Sequence, residues 1–224
     1  MTPAELTGQA RTHIVDVPEP PCALHGHAVA AFLQMRRAAA AAGYDLVALS
    51  SFRDFARQLS IWNRKWSGAM PLNDPAGRVL DPARLSAAER VDAILHWSAL
   101  PGASRHHWGT DLDLIDRRAL PPGYRVQLIP AEYGPAGPFA PLAGWLEANA
   151  ARFGFFRPFR GILSGVQPEP WHFSFAPVAE SARRRLTPAL LREALEFSDL
   201  AGKEAVLPRI EELHARYVAN IDWP

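Results

Sequence analysis

Residues 104–113 read Ser-Arg-His-His-Trp-Gly-Thr-Asp-Leu-Asp, and residues 169–172, far downstream, read Glu-Pro-Trp-His. These stretches supply the imidazoles and carboxylates of a hydrolytic zinc site, which typically has three protein ligands and leaves its fourth position to water. The candidate ligands are His106, Asp113 and His172. Glu169 lies three residues before the last ligand, where its carboxylate could take a proton from that water. The sequence therefore predicts a metallohydrolase.

The two motifs also predict local structure. Residues 110–115 alternate, which places Asp111 and Asp113 on one face of a half-buried strand and leucines on the other. Residues 171–175 alternate in the same way, with the histidine and serine on one face and Trp, Phe and Phe on the other. Glu169 lies between two prolines, and the residue before a proline favours extended backbone. We therefore expect a stiff segment that leads the carboxylate directly to the last ligand.

Helices and a further strand are predicted around the motifs. Apolar residues spaced along 28–42 stop at a glycine, as in a helix with a glycine C-cap. Residues 44–49 suit a buried strand, and a helix follows to about residue 66, so Arg53 is predicted at a strand-to-helix junction. Additional helices are predicted at 86–97, 141–153 and, in two segments, 188–219, with loops at 69–85 and 117–138.

Composition limits the possible functions. The chain has 224 residues, 48% of them apolar and 21% charged, with a formal net charge of +1. Neither a disordered tail nor a nucleic-acid-binding surface fits this balance. The first residues lack the basic and apolar regions of a signal peptide, and no run approaches the ~20 apolar residues of a membrane span. We expect a cytoplasmic protein without a membrane span, and periplasmic action is possible if a leader has been removed.

The motif residues resemble a known family, the LAS metallopeptidases, which comprise lysostaphin-type enzymes, D-Ala-D-Ala metallopeptidases and the hedgehog signalling domain. The family pattern Ser-x-His-x-x-Gly-x-Ala-x-Asp matches residues 104–113, and its Glu-x-Trp-His matches residues 169–172. A third pattern, Ser-x-Tyr/Phe-Arg with a later Gln, falls on residues 50–53 and Gln58. Within the family the chain is most similar to the D-alanyl-D-alanine carboxypeptidases of the vancomycin-resistance type.

This resemblance implies an α+β fold of the hedgehog/DD-peptidase kind, a small antiparallel sheet flanked by helices. It implies a Zn²⁺-dependent D-alanyl-D-alanine carboxypeptidase whose partner is a peptidoglycan stem peptide or precursor. Glu169 would be the general base, and Arg53 would bind the peptide's terminal carboxylate or stabilise the oxyanion. The further candidates for substrate binding are Gln58, Ser104 and Trp171.

The sequence departs from the family pattern at one position, because Asp111 replaces its alanine. Two carboxylates on one strand face repel each other unless a cation lies beside them. Asp111 is expected to orient a histidine ligand or to pair with an arginine, and a swap of ligand from Asp113 to Asp111 fits the spacing less well. His107 is interpreted as a residue at the rim of the site or behind a ligand.

Other functions and the domain boundary stay open. A D,D-dipeptidase or an L-alanyl-D-glutamate endopeptidase would use the same metal site. A non-catalytic, hedgehog-like zinc module that binds a peptide is the alternative outside enzymes, and Glu169 argues against it because a structural zinc has no use for a base. The peptidase-like domain is assigned to residues 1–186, with its motif core at 44–176, and a helical extension packed on it to 187–224.

Overall fold

The computed structural model describes residues 1–161, 163 and 165–224, which form helices and short strands. The strands are β1 (Ile14–Pro18), β2 (Pro21–His25), β3 (Leu46–Ser50), β4 (Leu72–Asn73), β5 (Val79–Leu80), β6 (Asp111–Asp116), β7 (Phe155–Phe156) and β8 (His172–Phe175). The helices are α1 (Pro3–Leu6), α2 (Gly26–Ala41), α3 (Phe55–Trp66), α4 (Ala87–Leu95), α5 (Pro130–Tyr133), α6 (Ala140–Asn149), α7 (Ala176–Arg185), α8 (Pro188–Glu196), α9 (Lys203–Val206) and α10 (Ile210–His214). None of the helices in these residues is long and apolar enough to cross a lipid bilayer.

A four-stranded antiparallel sheet with the order β3-β6-β8-β7 carries both motifs. In the β6–β8 pair, Asp113 lies directly opposite His172, so the two side chains project from the same face. In the β3–β6 pair, Ser50 lies opposite Asp113 after a shift in register. The loop after β3 therefore begins beside the same carboxylate. The predicted α+β architecture, a small antiparallel sheet flanked by helices, is confirmed.

The prediction that strand β6 is half-buried was wrong. All of its residues are buried, including Asp111 and Asp113. One face packs Leu112 and Leu114 against α2 and α6 in a hydrophobic cluster. The polar face is covered too, because the 3₁₀ turn Arg105–Trp108 lies over it. Alternation of polar and apolar residues along a strand shows which side chains share a face of the sheet. It does not show whether a loop covers that face.

An N-terminal hairpin of β1 and β2 precedes α2, in a part of the chain where no strand was predicted from the sequence. The hairpin contacts the metal motif, since the backbone N–H of His25 donates to the carbonyl of Gly109 at 2.8 Å. Gly109 has φ of 65°, and a Cβ there would overlap Ile14 and the backbone of His25. Only glycine satisfies both the left-handed backbone and the close approach of the hairpin.

The C-terminal helices share a core with the helices that surround the site. Apolar side chains of α8 and α10, such as Leu191 and Leu213, lie in one cluster with Trp62 of α3 and Ile94 of α4. Trp62 is fully buried, and its indole N–H donates to the carbonyl of Ala201 at 2.9 Å. The chain beyond residue 186 is thus packed against the face of α3 and α4 that lies next to the cleft.

Candidate metal centre

A cavity of about 640 Å³ lies on the polar face of the sheet. Residues of both motifs line it together with the loop after β3, helix α3 and the C-terminal helices. The predicted site residues that line it are Arg53, Ser104, His106, Asp113, Glu169, Trp171 and His172. Gln58 is the predicted site residue that is not part of this lining.

The three predicted metal ligands converge at the base of the cavity. One ligand atom each from His106, Asp113 and His172 lies within 4.8 Å of the others. The Nε2 atom of His106 is 3.5 Å from Asp113 Oδ2, and the Nδ1 atom of His172 is 3.5 Å from Asp113 Oδ1. Asp113 and His172, from the two distant motifs, are brought together because β6 and β8 are neighbours in the sheet, and the 3₁₀ turn Arg105–Trp108 before β6 carries His106.

Hydrogen bonds on the far side of each imidazole determine which nitrogen faces the metal position. His106 Nδ1 is 2.9 Å from the carbonyl of Ser51, which can only accept, so Nδ1 carries the proton and Nε2 presents a lone pair. His172 Nε2 is 2.8 Å from Asp111 Oδ1, so Nε2 donates and Nδ1 faces Asp113. Both histidines are therefore oriented as metal ligands by the protein itself.

Asp111 is the centre of a buried polar network. Its carboxylate accepts from Arg105 Nε at 2.8 Å, from Ser174 Oγ at 3.0 Å and from Thr110 Oγ1 at 2.5 Å, in addition to His172. Burial acts to raise the pKa of Asp111, but Arg105 and these hydrogen bonds hold it below its usual range. Both roles considered for Asp111, orienting a histidine and pairing with an arginine, are present together.

The residues fit a bound cation. Asp113 Oδ1 is buried and has no hydrogen-bond partner among the described residues. Burial raises the pKa of Asp113 to about 6, so its charged form lacks the compensation that Asp111 has. Burial opposes a charge on His172, yet its hydrogen bonds to Asp111 and Glu169 raise its pKa to about 10. The cluster thus attracts positive charge, and its nitrogen and oxygen donors suit zinc.

Glu169 lies beside the metal position. Its Oε2 atom is 3.0 Å from His172 Nδ1, and its backbone N–H donates to the carbonyl of Phe159 at 3.0 Å. The side chain is mostly buried but lines the cavity. The carboxylate is therefore held next to the ligand atoms while it remains accessible to a molecule in the cleft.

Arg53 is fixed from both sides. Its Nη1 donates to Gln58 Oε1 at 2.7 Å and its Nη2 to Ser50 Oγ at 3.1 Å. Gln58 is fully buried, and its amide N–H donates to the carbonyl of Ala99. Its fixed amide oxygen therefore holds Arg53 in position. Burial lowers the pKa of Arg53, and Asp113 opposes this effect. Of the five N–H donors of a guanidinium, those not used by these two contacts remain for a ligand.

The remaining predicted residues differ in their positions. Ser104 is buried and lines the cavity at the start of the 3₁₀ turn. Trp171 precedes β8, so the alternation that begins at His172 does not extend to it. The centroid of its ring is 5.7 Å from that of Tyr133, and the side chain lines the cavity. It belongs to a different hydrophobic cluster from the phenylalanines of β8. The predicted substrate contacts of Ser104 and Trp171 stay predictions.

His107 is fully buried and is not a rim residue. Its Nε2 accepts from the N–H of Gly102 at 3.1 Å, so its Nδ1 donates to the carbonyl of Arg53 at 2.6 Å. Burial lowers the pKa of His107 to about 4, which keeps it neutral. This histidine therefore holds the backbone of Arg53 in place.

Sequence reasoning missed two cations that line the cavity, Arg105 and Lys65. Lys65, on the last turn of α3, lines the cavity together with Ile61, one helical turn earlier. The spacing of four residues places both on one helix face, and this was the available signal. It was not recognised because the last turn of a predicted surface helix commonly carries lysine or arginine.

Known proteins match this arrangement in sequence and in fold. The sequence family described as VanY, D-alanyl-D-alanine carboxypeptidase, matches residues 22–178. The chain belongs to this family. The predicted membership in the LAS metallopeptidases is thereby confirmed, and the VanY match establishes the chain as a peptidase by descent. The match ends before helices α8 to α10.

Two uncharacterised proteins of Haemophilus influenzae are relatives of this VanY-family chain. One is 36% identical over 121 residues, which cover 53% of this chain and 92% of the relative. The other is 43% identical over 103 residues, which cover 45% of this chain and 70% of the relative. A D-alanyl-D-alanine carboxypeptidase of Enterococcus faecalis is 28% identical over 90 residues, 39% of this chain and 28% of the enzyme.

Solved structures show the same fold. The structure of VanYB in complex with D-alanine-D-alanine has a TM-score of 0.54 at 20% identity and covers 85% of this chain and 92% of its own. A variant of a vancomycin-resistance D,D-pentapeptidase VanY in complex with Zn(II) has a TM-score of 0.52 at 21% identity, covering 86% and 88%. These similarities support the VanY fold for this chain.

Proposed function

We propose that this VanY-family peptidase is a zinc-dependent D-alanyl-D-alanine carboxypeptidase that acts on peptidoglycan peptides. The observation that carries the proposal is the convergence of His106, Asp113 and His172 within 4.8 Å, with Glu169 directly beside them. The zinc complex of one VanY structure and the D-alanine-D-alanine complex of another support the metal and the substrate class.

The ligand set leaves room for catalysis. Three protein ligands are typical of a catalytic zinc, which polarises the scissile carbonyl and makes water more acidic when it is bound. The hydrogen bonds that the two imidazoles donate to the carbonyl of Ser51 and to the carboxylate of Asp111 keep them in the ligand orientation without any rearrangement. This preorganisation favours rapid and tight metal binding.

Glu169 performs the proton transfers in this proposal. Its carboxylate takes a proton from the attacking water and later gives it to the leaving amine of the terminal D-alanine. The segment between two prolines holds the carboxylate at the ligand cluster. Arg53, fixed by Gln58 and Ser50, donates to the carbonyl oxygen as negative charge develops on it.

Related reactions would use the same residues. A D,D-dipeptidase or an L-alanyl-D-glutamate endopeptidase differs in what the cleft walls accept, and the metal cluster is the same. A non-catalytic zinc module that binds a peptide is disfavoured by Glu169, because a buried carboxylate beside a metal position is costly unless it has a use there.

Product analysis tests the proposal. Zinc-loaded protein is incubated with a muramyl pentapeptide that ends in D-Ala-D-Ala, with and without a chelator, and the products are identified by mass spectrometry. We expect loss of a single D-alanine, abolished by the chelator. Release of the D-Ala-D-Ala dipeptide, or cleavage of an Ala-Glu bond, would assign one of the related reactions. No cleavage by protein that holds one zinc per chain would favour the binding module.

A further inference from the structure

Residues 221–223, which follow α10 and have no regular secondary structure, lie against the loop after β7. The backbone N–H of Asp222 donates to the carbonyl of Pro158 at 2.9 Å. The carboxylate Oδ2 of Asp222 accepts from the backbone N–H of Arg160 at 2.7 Å. One residue therefore holds the main chain of the loop on both sides of Phe159, and we call residues 221–223 the docked segment.

Side chains anchor the docked segment at both of its ends. Ile221 is buried, and the ring centroid of Trp223 is 4.8 Å from that of Phe156 in an edge-to-face arrangement. The guanidinium carbon of Arg183 lies 5.5 Å from the centroid of the Trp223 ring, within the distance of a cation–π contact. The docked segment is thus attached to β7 and to α7.

Phe159 connects the loop to the metal centre. Its carbonyl accepts from the backbone N–H of Glu169 at 3.0 Å, and its ring centroid is 5.1 Å from that of His172. Phe159 also lines the cavity. It therefore contacts both the proposed base and a candidate ligand, while its neighbours in the chain are held by Asp222.

Two ion pairs also reach this loop, from Glu147 of α6. Its carboxylate oxygens are 2.6 Å from Arg160 Nη2 and 3.7 Å from Arg157 Nη2, and its side chain is 47% exposed. Exposed ion pairs contribute little because water screens them. They also act at the ends of long side chains, whereas Asp222 bonds to the main chain of the loop. The docked segment is therefore the contact that determines the position of the backbone.

We propose that Asp222 and Trp223 are positioning residues, which act through Phe159 to hold Glu169 where it can reach the attacking water. This inference deepens the proposed function and rests on it. Neither Asp222 nor Trp223 is among the described residues that line the cavity, so we expect no contact of either with the substrate. The VanY match ends at residue 178, so the docked segment supports the site from outside the matched part of the chain.

Steady-state kinetics of the zinc-loaded protein, with a pentapeptide that ends in D-Ala-D-Ala, test this role. For Asp222→Ala and for Trp223→Ala we expect kcat to fall about 10- to 100-fold, because a displaced base is no longer aligned with the reacting atoms. KM should stay within about twofold of the wild type, because the substrate contacts are unchanged. Asp222→Asn keeps a side-chain oxygen that can accept from Arg160 and should recover most of kcat.

Two variants act as matched controls. Glu147→Gln removes the exposed ion pairs of the same loop. Phe197→Ala removes an aromatic ring that is 91% exposed. Both variants should keep the kcat and KM of the wild type, and thermal unfolding of every variant establishes that it is folded.

Hydrogen exchange separates this inference from the proposed reaction. Glu169 lies between two prolines, so its N–H is the only backbone amide in residues 168–170. NMR measures its exchange in the zinc-loaded protein without substrate. In Asp222→Ala we expect this N–H to exchange at least about tenfold faster, because its acceptor is no longer held in place. The N–H of Leu114, bonded to the carbonyl of Trp171 in the sheet, should keep its rate.

Three results would overturn the role of the docked segment. The first is wild-type kcat in both Asp222→Ala and Trp223→Ala, and the second is an unchanged exchange rate at Glu169. The third is an equal acceleration at Glu169 and Leu114, which would mean that the segment stabilises the whole fold and does not position the base. If the wild type released no D-alanine, the proposed function would fail, and the exchange rates would still decide whether the docked segment holds Glu169.

Discussion

Asp111 and Asp113 lie two residues apart on one face of β6, but their surroundings differ. Asp111 accepts hydrogen bonds from Arg105, Thr110, Ser174 and His172. Asp113 has an oxygen that is buried and lacks any such partner in the described part of the chain. The pKa of Asp111 is lowered and that of Asp113 is raised to about 6. The carboxylate that is available to a metal ion is therefore the one whose hydrogen bonding the fold leaves incomplete, whereas its neighbour is used in contacts within the protein.

The largest effect is expected from a change beside Asp113 and the other candidate ligands, Glu169→Gln. Loss of the general base should lower kcat about 10²- to 10⁴-fold, while metal content stays at the wild-type level because Glu169 is not one of the three convergent ligands. Steady-state kinetics and elemental analysis of the same preparation measure both quantities. Glu196→Gln, an exposed change on α8, is the control. A variant that keeps most of its turnover would refute the assigned base.

Stability of the metal-free protein should separate the two aspartates. Asp111→Ala leaves the buried Arg105 without its charge partner and should lower the free energy of unfolding by about 3–5 kcal/mol. Asp113→Ala removes a buried, uncompensated carboxylate and should not lower it. Urea denaturation at neutral pH in the presence of a chelator measures both. Equal losses for the two variants would contradict the difference described here.

The adjacent histidines extend the comparison, since His106 faces the metal position and His107 holds the backbone of Arg53. The pKa of His107 is about 4 in the folded protein and near 6.5 when unfolded, so acid protonates the unfolded state first. The contribution of neutral His107 to the free energy of unfolding is at most about 3 kcal/mol. It is complete above pH 6.5 and is lost as the pH falls toward 4.

Denaturant titrations between pH 4 and pH 7 measure the acid effect. His107→Gln can still donate and accept a hydrogen bond but does not titrate, so its free energy of unfolding should fall less steeply with acid than that of the wild type. Four other histidines with lowered pKa, His13, His25, His96 and His106, are present in both proteins and cancel in the comparison. Parallel pH profiles would show that His107 does not contribute.

The smallest effect is expected from Asp111→Asn. The amide keeps the size of the side chain but no longer fixes the proton of His172 as strongly, so metal affinity should fall about 10- to 100-fold. Competition with a chromophoric zinc chelator measures the dissociation constant. Asp199→Asn, at an exposed position, provides the matched control. An unchanged affinity would mean that backbone packing alone orients His172.

Much of the site was predictable because its residues are close together in short motifs. The three ligands, Glu169 and the position of Arg53 follow from residue type and spacing, and the strands β6 and β8 follow from alternation. The partners of Asp111 did not follow, because Arg105 and Ser174 reach it only after the 3₁₀ turn folds over β6. The N-terminal hairpin was missed because its prolines obscured the strand pattern.

The pairing of Arg105 with Asp111 also couples what can stand at the two positions in a protein of this fold. An aspartate at position 111 without the arginine would be a buried carboxylate without a cation beside it. An arginine at position 105 without the aspartate would be a buried guanidinium without its carboxylate, although it would still lie 4.8 Å from the centroid of the Trp108 ring. The two positions are therefore expected to vary together among related sequences, the aspartate occurring where the arginine does.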